Sequence, residues 1–326
     1  MALYGVGDIH GQAELFRRGL ESLNFREGRD ELYLLGDIVA CGQSVWPVFR
    51  RLKEAAQSYH FVMGNHESNL LINFLPHASR LRGQARLLEP LLALHRLLLD
   101  KPCLPFLADL APQAYAQDGQ RAGFGSQRSP RILTAVEGEE LRLAVADLRR
   151  ALAGDEQLGL AAYRVLSCGL FGFRQQNSYQ TLLPELLALP EADYDWLCAF
   201  LASQPYLRYE ELLGQVQLFI HYPLRRQVHG PEVERGNWFA RESWPVLRHP
   251  DRADLDAVYY GHMPVLRWVD TEKLDVNPLE ILSYTDEQQV RYYNLDLVEG
   301  GCLGFLCLED GAACYVTDPQ AANYEY

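Results

Sequence analysis

Asp8 and His10 stand two residues apart where an apolar run over residues 2–6 gives way to Gly7. In extended chain, residues two apart project to the same side, so a carboxylate and an imidazole at this spacing can share one cation. Asp37 follows in a matching context after residues 32–35 and Gly36, and Asn65 with His66 follows after residues 60–63 and Gly64. His221 and His262 come much later, again at the ends of apolar runs. Together these residues make a mixed set of nitrogen and oxygen donors, with Asp37 able to bridge, and such a set suits Mn, Fe, Zn or Co better than Ca or a thiolate site. Two such ions roughly 3.5–4 Å apart would activate a bridging water and clamp an in-line displacement at phosphorus.

The residues around this set predict the elements that hold it. Strand-like runs at 2–6, 32–35 and 60–63 alternate with helical patterns at 12–23 and 46–56, which implies a βαβ layout and a mostly parallel sheet. Ligands gather at the carboxyl ends of such strands, where the candidate residues lie. From about residue 78 the pattern becomes helical. Leu87, Leu91, Leu94 and Leu98 recur at helical spacing with Pro90 suited to a first turn, and Leu141, Val145, Leu148 and Leu152 recur before Gly154. Trp196, Leu197, Phe200 and Leu201 repeat the pattern. Residues 78–190 therefore read as a helical insertion between 1–77 and 191–326, with a Gly-, Gln-, Ser- and Arg-rich surface loop expected over 113–131. Strands are expected again at 216–220, 257–260, 290–297, 302–308 and 313–316, the last two joined by an Asp310-Gly311 turn.

Composition narrows the classes. The 326 residues are 48% apolar and 22% charged, as in an ordinary folded protein. A formal charge of −13 excludes a broad nucleic-acid or anionic-membrane surface, so an anionic substrate needs a local cationic site. The seven cysteines are scattered without a Cys-x-x-Cys pair, which predicts free thiols in a reducing cytoplasm. No secretory pattern opens the chain, and no apolar run reaches the roughly 18 residues of a membrane span.

Gly7-Asp-Ile-His-Gly11, Gly36-Asp-Ile-Val-Ala-Cys-Gly42, Gly64-Asn-His-Glu67, His221 and Gly261-His262 resemble the signature blocks of the calcineurin-like metallophosphoesterases. Within that family they most resemble the bacterial and phage phosphoprotein phosphatases of the lambda phosphatase type. Trp238-Phe-Ala-Arg-Glu242 resembles a further block of that group, and Asn294-Leu-Asp296 its final strand. The resemblance implies an α/β fold, a metallophosphoesterase-type β-sandwich flanked by helices in α-β-β-α order, with the helical insertion as a cap. It implies that Asp8, His10 and bridging Asp37 hold one divalent ion and that Asp37, Asn65, His221 and His262 hold a second, with Mn first and Fe, Zn or Co as alternatives. His66 would be the general acid, and Arg241 would bind phosphate oxygens. Both roles suit the chemistry of the side chains.

The implied function is metal-dependent hydrolysis of phosphate esters by attack of an activated hydroxide, with phosphoserine or phosphothreonine in proteins as the leading substrate. The alternative is a dinucleoside polyphosphate of the diadenosine tetraphosphate type. Two departures from the family pattern bear on this choice. Ala40 stands where Asp is common, as in the symmetrical diadenosine tetraphosphate hydrolases, and Cys41 stands where a phosphate-clamping Arg is common. Arg225, Arg226, Arg174 or Arg128 could replace that clamp. A degenerate phosphatase acting as a binding or regulatory protein is the reading that Cys41 motivates. No stable nucleic-acid or membrane partner is expected.

Overall fold

The computed structural model describes residues 1–39, 44–100, 104–116, 134–172, 178–222, 255–262, 264–266, 277–286 and 289–318. The chain divides into two compact units, Met1–Asn69 with Asp195–Tyr326, and Leu70–Tyr194.

The first unit holds two five-stranded mixed sheets. In the first, β1 (Leu3–Val6), β2 (Glu31–Leu34) and β3 (Tyr59–Phe61) run parallel, and β9 (Cys302–Cys307) lies antiparallel to both β1 and β10 (Ala313–Thr317). In the second, β5 (Gln215–Ile220), β6 (Ala257–Tyr260) and β8 (Arg291–Asn294) run parallel. Antiparallel β4 (Leu207–Leu212) and β7 (Leu282–Thr285) form its edges. All four residues of β6 are buried, as expected for a central parallel strand covered on both faces.

Apolar side chains from both sheets form one core. Leu3, Tyr33, Leu35, Val62 and Leu306 of the first sheet and its strand ends pack with Phe219, Ala257, Tyr259 and Leu295 of the second. The Tyr33 and Phe219 rings stack at 4.2 Å, and Phe219 stacks on Tyr259 at 5.0 Å. This face-to-face arrangement is the expected sandwich. Helix α1 (Ala13–Ser22) buries Leu15, Phe16 and Leu20 and packs against β9 and β10. Helix α2 (Trp46–Glu54) carries Pro47 in its first turn, where a missing N–H costs nothing, and buries Val48, Phe49 and Leu52. The expected helical layer over the second sheet is not among the described residues.

The Leu70–Tyr194 unit is helical. Helix α3 (Asn65–Asn69) leads through a π-helical turn over Leu70–Phe74 into α4 (Leu75–Leu81). Then come α5 (Ala85–Asp100), α6 (Ala135–Leu152), α7 (Glu156–Gly172), α8 (Ser178–Ala188) and the start of α9 (Glu191–Ser203). The two leucine patterns are buried stripes of α5 and α6. Pro90 lies inside α5 rather than in its first turn, because the helix already starts with the Leu87 N–H donating to the Gln84 carbonyl. Helix α6 opens with a reciprocal cap, Thr134 Oγ1 accepting the Glu137 N–H and Glu137 Oε2 accepting the Thr134 N–H.

Three further differences from the sequence reading have local causes. Strand β4 is an edge strand rich in charged residues, and it turns into β5 through Leu213 and Gly214, both at positive φ. Strand β7 is also a largely exposed edge, without apolar alternation. Strand β8 stops at Asn294, and the chain then passes into a short 3-10 turn over Val298–Gly300. The loop expected over 113–131 is helical at 113–116 and lies outside the described residues from 117 onward. Among the described residues, no helix is long and apolar enough to cross a membrane, and Cys168, Cys198, Cys302, Cys307 and Cys314 are not joined in disulfides.

Candidate metal centre

Asp8 and His10 follow β1, Asp37 follows β2, Asn65 and His66 follow β3, His221 follows β5 and His262 follows β6. All five strands present their carboxyl ends here, so two parallel ladders deliver seven polar side chains to one place. The loops are tied together first by backbone. The N–H groups of Ile9 and His10 donate to the Asp37 carbonyl at 3.0 and 2.9 Å, and Gly11 N–H donates to Ile38 at 2.7 Å. Gly64 leaves no room for a side chain: a Cβ there would lie 2.1 Å from Asp37 Oδ1 and 2.4 Å from its backbone nitrogen.

His10, Asp37 and His262 adopt φ of +48°, +46° and +66°. Left-handed backbone is costly for residues with a side chain and is concentrated at functional sites. The sequence reading placed Asp8 and His10 side by side through strand alternation. Instead β1 ends at Val6 and His10 sits in a left-handed turn, which still brings His10 Nε2 to 3.4 Å from Asp8 Oδ2.

Each carboxylate divides its oxygens. Asp8 Oδ1 accepts the His262 N–H and Asp37 Oδ1 accepts the His66 N–H, both at 3.0 Å. Their Oδ2 atoms turn inward, to 3.4 and 3.5 Å from His10 Nε2. Asp37 Oδ2 also lies 3.6 Å from His66 Nε2 and 3.2 Å from His221 Nε2. His221 Nδ1–H donates to the Leu35 carbonyl at 2.7 Å, which directs Nε2 toward the centre. There Nε2 lies 2.9 Å from Asn65 Oδ1 and 3.1 Å from His262 Nδ1, and the latter is 2.7 Å from the same amide oxygen.

These atoms fit a divalent cation. Lone pairs of two imidazoles, an amide oxygen and a carboxylate meet at one point, and only a proton or a metal ion between them relieves their repulsion. Donor atoms of His10, Asp37 and His66 lie within 4.8 Å of one another, as do those of Asp37, His221 and His262. Asp37 is common to both groups.

The electrostatics follow from the same contacts. Burial disfavours charge on Asp37, but His221, His66 and His10 outweigh it and hold the carboxyl well below the usual range. Burial also opposes charge on His221, yet Asp37 and Asp8 raise it to about 9. Burial and the neighbouring His221 push His262 down to about 3. Burial likewise lowers His66, against the pull of Asp37.

Three residues near the centre were given no role by sequence reasoning. Glu67 is wholly buried, and it accepts the N–H groups of Asp37, Val39 and Gly64 at 2.8, 2.8 and 3.2 Å. Burial, then the charge of Asp37, raises it to about 7. Its place in the Gly64-Asn-His-Glu67 block was the available signal. Tyr222 lays its ring 4.2 Å from that of His262. Asp296, just past β8, is fully buried. Arg241, Ala40, Cys41, Arg225, Arg226, Arg174 and Arg128 lie outside the described residues.

Residues 1–116 match the family of calcineurin-like phosphoesterases. Within that class, symmetrical bis(5'-nucleosyl)-tetraphosphatases are among the chain's relatives. The protein of that name from Nitrosospira multiformis is 42% identical over 72 residues, 22% of this chain and 26% of the relative. The one from Escherichia coli O139:H28 is 39% identical over 74 residues, 23% and 26% of the respective chains. The match thus spans about a quarter of the length of these relatives. A solved metallophosphoesterase from Sphaerobacter thermophilus aligns over all of this chain and 90% of its own at 11% identity, with a TM-score of 0.38.

Proposed function

We propose that this chain is a divalent-metal-dependent phosphoric ester hydrolase whose substrate is a dinucleoside polyphosphate of the diadenosine tetraphosphate type. The observation that carries the reading is Asp37, common to two groups of convergent donors. In this reading Asp8, His10 and Asp37 hold one ion, and Asp37, Asn65, His221 and His262 hold the other, with Mn as the first candidate. Bound there, the ions would supply Lewis-acid activation of water and of the phosphoryl oxygens.

The chain's own residues do the rest. The His66 side chain is 20% exposed, against 7% for His10 and 0% for His221, so it is placed to meet a leaving group from solvent. Its lowered proton affinity would rise beside an anionic phosphate, and the proton then held would pass to the departing oxygen. Asp37 accepts the His66 backbone N–H and so fixes where that imidazole starts. Arg241 retains its proposed role of binding phosphate oxygens through paired N–H donors.

A dinucleotide is preferred to a phosphoprotein because the matched relatives bear the name of tetraphosphatases and because Ala40 is shared with that group. A cytoplasmic setting accords with the free thiols. The test is a side-by-side assay of purified chain with Mn²⁺ on diadenosine tetraphosphate, on a phosphothreonine peptide and on p-nitrophenyl phosphate. The dinucleotide should be cleaved fastest, and the activity should be lost with chelator. Faster turnover of the peptide would return the assignment to protein phosphatase, and no turnover of any substrate would overturn the enzyme reading.

A further inference from the structure

Asp296 lies just past β8 as a side chain with 0% exposure, and among the described residues neither carboxylate oxygen has a hydrogen-bond partner. Its backbone is fully engaged: the N–H donates to Asn294 Oδ1 at 3.1 Å and the carbonyl accepts the Val265 N–H at 2.9 Å. The segment is also pressed against the first metal-site loop. A Cβ on Gly7 would stand 2.3 Å from the Leu295 carbonyl oxygen and 3.0 Å from the Asp296 nitrogen. A carboxylate locked in place without a donor is an expensive feature unless positive charge compensates it. Burial opposes charge on this carboxyl most, Asp8 and Asp37 repel it, and His10 and His221 attract it.

We infer that Asp296 supports the metal centre as a buried carboxylate beside the loop of Gly7 and Asp8 that strengthens cation binding without itself being a ligand. The inference rests on the metal reading above. With cations among the donors, the added negative charge is compensated and attracts them in turn. Without them, the same carboxylate has no hydrogen-bond donor among the described residues. Asp296 should therefore favour the metal-loaded protein and contribute nothing, or a penalty, to the metal-free one. An ordinary structural aspartate would behave in the opposite way.

The test is calorimetric titration of the full chain with Mn²⁺ alone, together with thermal melting in chelator, for wild type, Asp296→Asn, Asp296→Leu and Asp37→Asn. Asp296→Asn should bind Mn²⁺ about 10-fold more weakly, while both Asp296 variants melt in chelator at or above the wild-type temperature. Wild-type Mn²⁺ affinity in Asp296→Asn would overturn the inference and leave the metal reading intact. A lower melting temperature in chelator for both Asp296 variants would also overturn it, by showing that the carboxylate serves the fold. If wild type and Asp37→Asn both fail to bind Mn²⁺, the metal reading falls and takes this inference with it.

Discussion

Asp37 Oδ2 lies 3.2 Å from His221 Nε2, although Asp37 follows a strand of one sheet and His221 a strand of the other. The contact joins the two halves of the sandwich at their functional edge. Because Asp37 also faces His10 and His66, its loss should disable both donor groups together. Asp37→Asn is expected to lower Mn²⁺-dependent hydrolysis at least about 100-fold, read as initial rates at saturating Mn²⁺. A rate within a few-fold of wild type would show that Asp37 is not shared.

Glu67 holds three backbone N–H groups of the loops that carry Asp37 and Asn65. Gln is nearly the same size, but its amide nitrogen cannot accept and would face a donor. Glu67→Gln should cost about 1–3 kcal/mol in urea unfolding and weaken Mn²⁺ binding as well. A variant with unchanged stability would mean that these bonds contribute little.

Asp30 is buried beneath the start of β1 and accepts the N–H groups of Ala2 and Arg26, each at 3.0 Å, as well as the Arg29 guanidinium. The guanidinium first, then the backbone donors, hold its carboxyl well below the ordinary value of 3.8. A depressed carboxyl stabilises the fold above that ordinary value, and the contribution disappears as pH falls below it. Asp30→Asn should therefore lose about 2 kcal/mol at pH 7, a figure discounted for the exposed Arg29. The difference from wild type should shrink steadily as pH falls below the ordinary value of 3.8. Equal stability at neutral pH would contradict this account.

His95 is fully buried in the helical unit, stacked 3.9 Å from the Tyr179 ring, with its Nδ1 3.2 Å from the Gln180 amide nitrogen. Burial lowers its pKa from 6.5 to about 4. The unfolded chain takes the proton first, so stability falls as pH drops from about 6.5 toward 4, by up to about 3 kcal/mol. His95→Phe keeps the ring and removes the proton site. Its melting temperature should decline less than that of wild type across this window, and a parallel decline would exclude His95 as the cause.

Several features were legible in the chain without coordinates because they are local. Asp8, Asp37 and Asn65 follow short apolar runs closed by Gly, and that context alone places them at strand ends. The leucine stripes of α5 and α6 follow from helical periodicity, which depends only on residues three and four apart. Strands β4 and β7 were not legible, since edge strands bury little and their side chains need not alternate.

The remainder belongs to the tertiary structure. The family match ends at residue 116, well before His221 and His262. Nothing local to those histidines requires that they meet Asn65 Oδ1 at 2.9 and 2.7 Å. That meeting depends on two parallel ladders from distant parts of the chain presenting their carboxyl ends to one edge. Left-handed turns at His10, Asp37 and His262 then aim the side chains. Glu67 and Asp296 gain their significance in the same way. In the sequence they are two acidic residues among many, and burial is what makes each carboxylate costly and each partner consequential. The sequence by itself determined which donors are present and in what local setting, because spacing and strand ends are short-range properties. Only the tertiary structure decided which donors face one another and which charges lie out of reach of water, because both are set by packing between the two sheets.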